Sequence, residues 1–174
     1  TEYLDLESVP PGTQKRFWVQ LASNGVGWPI SVPVIVAKGL EPGPVMGLTA
    51  AVHGNELNGL PVIQRLFAEI DLKSLKGTIV GVLVVNVPGL LLGQRKFNDG
   101  TDPNHIMPGK ANGNNVEIYA YRLIDRIVKN FDYLIDLHTA SFGRVNSYYI
   151  RADRENPITR KMALLQTPDI IVHN

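Results

Sequence analysis

Cysteine is absent from the 174 residues. Disulfides and thiolate metal sites are therefore excluded, and any metal must be held by His, Asp or Glu; the absence does not fix the compartment. Charge of either sign is also in short supply, since 17 Lys and Arg stand against 16 Asp and Glu for a net charge of +1. No basic stripe calls for nucleic acid or an anionic membrane, so neither is an expected partner. Long apolar runs are missing too. The longest, residues 79–93, is interrupted by Asn86 and Pro88 and falls short of the roughly 20 residues a membrane-spanning helix needs. It reads as a buried strand followed by a loop. There is no charged segment leading into an apolar core near Thr1, hence no visible signal peptide, and the expected location is cytoplasmic. Internal repeats and low-complexity segments are lacking as well.

What remains is the composition of one domain, long enough to bury a single core. Residues 15–21 and 28–38 are rich in aromatic and β-branched side chains, with Asn24-Gly25-Val26-Gly27 as turn chemistry between them. An antiparallel hairpin is expected, with Pro29 and Pro33 pushing its second strand toward a sheet edge. Residues 45–52 are continuously apolar or small, the pattern of a central strand covered on both faces. Leu60, Ile63, Leu66, Phe67 and Ile70 recur at helical spacing, with Asn58 as a candidate N-cap and Pro61 tolerable in the first turn. A further strand is expected at 78–85, then a long Gly- and Asn-rich loop over 88–115, too long to be an idle connector. From Val116, helical periodicity places Tyr121, Ile124, Ile127, Val128 and Phe131 on one face and Arg122, Asp125, Arg126 and Lys129 largely on the other. Strands follow at 133–137 and 169–174. Strands alternating with helices predict an α/β fold, a mostly parallel mixed sheet sandwiched by helices with an N-terminal β-hairpin.

The chemistry concentrates at strand ends. His53-Gly-Asn-Glu56 closes one apolar run and His138 closes another, and parallel strands put such ends on one edge of a sheet, where ligands bind. His53, Glu56 and His138 make up the two imidazoles and one carboxylate that a catalytic zinc commonly takes. The His-x-x-Glu spacing alone is weak, arising by chance in roughly a quarter of chains with four His at ordinary Glu frequency. Its placement carries more weight. The bland reading is a capped helix entry, with Glu56 favoured by the helix dipole. Alternation along the second strand points Asp136 to the same face as His138, where it could orient a ligand imidazole, His138 or His53. Arg95 in the long loop is either a solvated charge or a guanidinium that stabilises a developing oxyanion. Asn98, Asp99, Asp102 and Asn104 depart from calcium-loop spacing, and turn formation is their default. His173 reads as structural or exposed.

His53-Gly-Asn-Glu-Leu-Asn-Gly59, Asn86-Val-Pro-Gly89 followed by Arg95, Asp102-Pro-Asn-His105 with Pro108-Gly109, and Asp136-Leu-His-Thr139 occur in this order over most of residues 45–140. Together they resemble the succinylglutamate desuccinylase and aspartoacylase family, a branch of the zinc carboxypeptidase superfamily. The resemblance implies one zinc ion held by His53, Glu56 and His138, with Arg95 polarising a substrate carbonyl or contacting a carboxylate. It implies amide hydrolysis of a small N-acyl amino acid or related molecule by water that zinc activates. Asn104 and His105 fall where the family binds substrate, but His105 replaces the usual Arg. A neutral imidazole offers one hydrogen bond where guanidinium offers two and a fixed charge, so an ordinary acidic substrate is put in question.

The family's general base is a Glu from a later part of the chain, and neither Glu117 nor Glu155 has the context for that role. Residues 1–174 are accordingly expected to be the zinc-binding core of a longer enzyme, cut before the base and a β-rich domain. A metallocarboxypeptidase acting on a peptide, and an inactive metal-stabilised binding module, are the alternatives. A dinuclear aminopeptidase is less favoured, because only Asp136 could bridge a second metal. The sequence leaves the oligomeric state open.

Overall fold

The computed structural model describes residues 1–141 and 143–173, which fall into two compact units, Thr1–Thr139 and Ala140–Asn174. The first is built on a five-stranded sheet in the order β1-β2-β4-β3-β5, formed by β1 (Thr13–Ser23), β2 (Pro29–Lys38), β3 (Glu41–Ala50), β4 (Lys76–Val82) and β5 (Tyr133–Leu137). β3 pairs in parallel with both β4 and β5, while β2 runs antiparallel to β1 and β4. Four strands thus share one direction and β2 alone opposes them.

The hairpin forms as its turn residues require: the Asn24 carboxamide oxygen accepts from the amides of Val26 and Trp28. Its second strand, however, is not at an edge. β2 lies between β1 and β4, and β1 is the outer strand. The prolines survive there for two reasons. Pro29 is the first residue of the strand. At Pro33 the carbonyl accepts from Leu83, so the missing N–H also points toward β4, one rung past the last paired residues, Val34 and Val82. No interior rung loses a donor.

Alternation along the strands sends side chains to two cores. Val32, Val34 and Val36 of β2 and Val80 and Val82 of β4 pack with Phe17, Val19 and Leu21 beneath α3 (Asn115–Arg126). Ala37, Leu48 and Ala50 meet Ile63 and Phe67 of α1 (Gly59–Glu69) on the other face. Ile63 is fully buried, so its truncation to Ala would cost about 2–5 kcal/mol. Asn58 occupies the N-cap position of α1 but makes no side-chain cap bond. Asn114 caps α3 in a full capping box with Glu117.

The buried face of α3 is Val116, Tyr119, Ala120 and Leu123 with Ile127, rather than one running through Tyr121, which is exposed. The helix stops at Arg126 and a 3-10 turn follows at Val128–Asn130, so residues 127–131 are out of helical phase with those before. Residues 88–115 are likewise not one open loop. They begin within α2 (Val87–Leu91), capped by Asn86, whose side chain accepts from Gly89 N, and include a 3-10 turn at Pro103–His105.

The second unit pairs β6 (Tyr149–Ala152) in parallel with β7 (Ile170–His173), joined through α4 (Pro157–Leu165), which Asn156 caps. His173 Nδ1 accepts from the Arg154 amide at 3.1 Å, a structural use of that side chain. No helix among the described residues is long and apolar enough to cross a membrane.

Candidate metal centre

Ala50 and Leu137 are opposite one another at the ends of the parallel strands β3 and β5. The chain continues from these ends to His53 and His138, whose rings meet edge-on with centroids 5.0 Å apart. Between the two strand ends and α1 lies the His53–Gly59 turn. Its tightness depends on glycine: a Cβ on Gly54 would collide with the backbone of Gly89 and Leu90 and with Gln94 O, and one on Gly59 would meet the Cβ atoms of Ala50 and Leu137 at 2.8 and 2.9 Å. Gly54 N and the Asn86 carboxamide both donate to the Arg95 carbonyl, at 3.2 and 3.4 Å. The His53 turn, Asn86 and the Arg95 loop are thereby held together at one backbone carbonyl. Just ahead of His53, Ala51 adopts φ 51° with its carbonyl accepting from Asn86 N, a left-handed residue at the site's entrance.

Glu56 is buried at the centre. One oxygen lies 3.1 Å from His53 Nδ1 and 2.6 Å from Arg95 Nη1; the other lies 3.2 Å from His138 Nδ1 and accepts from Thr139 N at 3.0 Å. The outer nitrogens of both rings meet carboxylates. Asp102 Oδ1 is 3.2 Å from His53 Nε2, and Asp136 Oδ2 is 2.6 Å from His138 Nε2. Burial alone would push the Asp102 carboxyl up, but the Asn104 amide, His53 and Arg95 together hold it below the ordinary Asp range. In both rings Nδ1 is the atom turned to Glu56, and a tautomer with the proton on Nε2 would let Asp102 accept from His53 and Asp136 from His138.

With the protons on Nε2, two Nδ1 lone pairs would face the Glu56 carboxylate, a repulsion that Arg95 at one Glu56 oxygen offsets only in part and that a cation among the three donors would relieve. Consistent with this, His53 Nδ1 is a buried nitrogen without a hydrogen-bond partner among the described residues, despite its closeness to Glu56. At His138 a proton can fill the gap: the hydrogen bond to Asp136, helped by Glu56, raises its pKa above the usual His value in spite of desolvation. A metal would fill it better. Donor atoms of His53, Glu56 and His138 all lie within 4.8 Å of one another, and two imidazoles with a carboxylate suit zinc and leave a coordination position open. The residues present fit such an ion.

The sequence-derived set is largely brought together. His53, Glu56, His138, Arg95 and Asp136 converge, whereas Asn104 and His105 are exposed on the 3-10 turn that Asp102 caps. Sequence spacing does not single out Asp102 as a partner of His53. Its Asx turn is real, with Oδ1 accepting from Asn104 N at 3.0 Å, but the same oxygen also serves His53. Its place in the Asp102-Pro-Asn segment was the available signal.

Residues 42–172 match the model of the succinylglutamate desuccinylase/aspartoacylase catalytic domain. The chain belongs to this family. A curated member of similar sequence is N-alpha-acetyl-L-2,4-diaminobutyric acid deacetylase of Halomonas elongata, 31% identical over 111 residues, or 63% of this chain and 32% of that protein. Among solved structures, a family member from Rhodobacter sphaeroides superposes with a TM-score of 0.75 at 25% identity, covering 94% of this chain and 52% of the other. An aspartoacylase family protein from Mesorhizobium loti gives 0.80 at 22% identity, covering 98% and 55%. This chain thus spans about a third of the curated relative and about half of each structure. The mixed α/β architecture is the one expected of the family.

Proposed function

We propose that these residues form the zinc-binding core of an amidohydrolase that cleaves the amide bond of a small N-acyl amino acid or a related compound. The observation that carries this reading is the convergence of both Nδ1 atoms on buried Glu56, with a carboxylate at the Nε2 of each ring. Bound zinc supplies Lewis acidity and hydroxide at neutral pH. His53, Glu56 and His138 hold it. Asp102 and Asp136 fix the imidazole tautomers and raise the basicity of the donor nitrogens.

Arg95 lies beside Glu56 and is partly exposed, so its guanidinium faces both the ligand carboxylate and solvent. It is assigned to the substrate, stabilising charge on a carbonyl oxygen or pairing with a carboxylate. Asn104 and His105 are assigned to substrate contact, and His105 favours a group less acidic than an Arg would select. The deacetylase relative, named for an acetylated diamino acid, supports an N-acyl substrate of this kind. The general base is assigned to a Glu outside these residues.

Elemental analysis of wild type and His138→Ala, purified without chelator, tests the centre. Near-stoichiometric zinc lost on mutation is expected; well-folded wild type that takes up none would overturn the reading. N-acyl amino acids assayed beside short peptides, on a chain carrying the remaining family segments, would then separate deacylase from carboxypeptidase.

A further inference from the structure

Thr49 is one of few polar residues buried in the first unit, and it stands in the apolar C-terminal half of β3, after Val45, Met46, Gly47 and Leu48. Leu48 and Ala50 pack into the α1 cluster, as do Ile135 and Leu137 across the ladder, so Thr49 and Asp136 both turn to the opposite face. The register places them directly opposite each other. The Thr49 hydroxyl donates to Asp136 Oδ1 at 2.6 Å, and the other oxygen, Oδ2, meets His138 Nε2 at 2.6 Å.

We infer that Thr49 is a positioning residue for the metal centre, acting through Asp136 to decide which nitrogen His138 offers. This inference rests on the zinc reading of the same site. The physical argument begins with the exposure of Asp136, about a third of its side chain. A carboxylate so placed at the end of an outer strand has free rotamers and competing water. A buried hydroxyl that donates to one oxygen removes that freedom and turns the second oxygen toward His138. His138 then keeps its proton on Nε2 and presents Nδ1 to Glu56. Thr49 is therefore the third member of a chain from β3 through β5 to His138, and it acts through Asp136.

The test compares wild type, Thr49→Val and Thr49→Ser. Two readouts are used: zinc affinity by competition with a chromophoric chelator, and the His138 tautomer in metal-free protein from imidazole nitrogen shifts at alkaline pH. Wild type is expected to hold the Nε2–H tautomer. Thr49→Val keeps shape without a donor and is expected to give mixed tautomers and about tenfold weaker zinc binding, the low end for loss of an outer partner. Thr49→Ser is expected to restore both. Unchanged tautomer and affinity in Thr49→Val would overturn the assignment, as would an Nδ1–H tautomer in wild type, which needs no variant to fold. If wild type binds no zinc, the proposed function fails, while the tautomer comparison still decides the role of Thr49.

Discussion

The two imidazoles of the centre are built differently. His53 is 1% exposed, lies in a turn locked by glycines, and receives its outer carboxylate from Asp102, 49 residues later in the chain. His138 is 33% exposed, ends an outer strand, and takes its carboxylate from Asp136 two residues earlier. One imidazole is set by tertiary packing and the other by strand alternation. The difference teaches that equal roles need not carry equal robustness, because water can stand in for a partner at His138 and cannot at His53.

The strongest way to break the comparison is to remove each ligand. His53→Ala and His138→Ala are both expected to abolish tight zinc binding in equilibrium dialysis; retention of full metal by either would remove that residue from the site. Next comes the turn that holds His53. Gly54→Ala drives a Cβ into backbone that cannot rotate away, and a loss of about 3 kcal/mol is expected in denaturant unfolding. A midpoint within experimental error of wild type would mean that the turn is looser than its contacts imply.

The outer carboxylates sharpen the contrast. Asp102→Ala and Asp136→Ala should each weaken zinc by about 10–100-fold, with Asp102 nearer the upper end, since its side chain is 15% exposed against 35% for Asp136. The reverse ranking in a chelator competition would undo the argument from burial. Asp102→Ala also removes the cap of a 3-10 turn. A remote control sets the scale for that part: Asn114→Ala should cost about 1 kcal/mol through loss of the α3 capping box, with zinc affinity unchanged.

The same contrast explains what could be read in advance. His53, Glu56, His138 and Asp136 were legible because each is fixed by short spacing at the end of an apolar run. Asp102 was legible only as a turn former, because its contact with His53 crosses 49 residues. The placement of Pro33 depended on which neighbour its backbone faces, a matter of register rather than composition. The buried face of α3 departs from the one that periodicity predicts, because the α-helix ends at Arg126 and a 3-10 turn follows.

The α/β class, the His53, Glu56 and His138 cluster and the family can be read from the linear chain, since periodicity, residue chemistry and close spacing are local properties. Only the tertiary structure decided which strand lies at the edge, which carboxylate serves which imidazole, and that a Thr in an apolar strand reaches the centre through Asp136. Those outcomes rest on strand order and register, which bring residues together across distances the linear pattern does not encode.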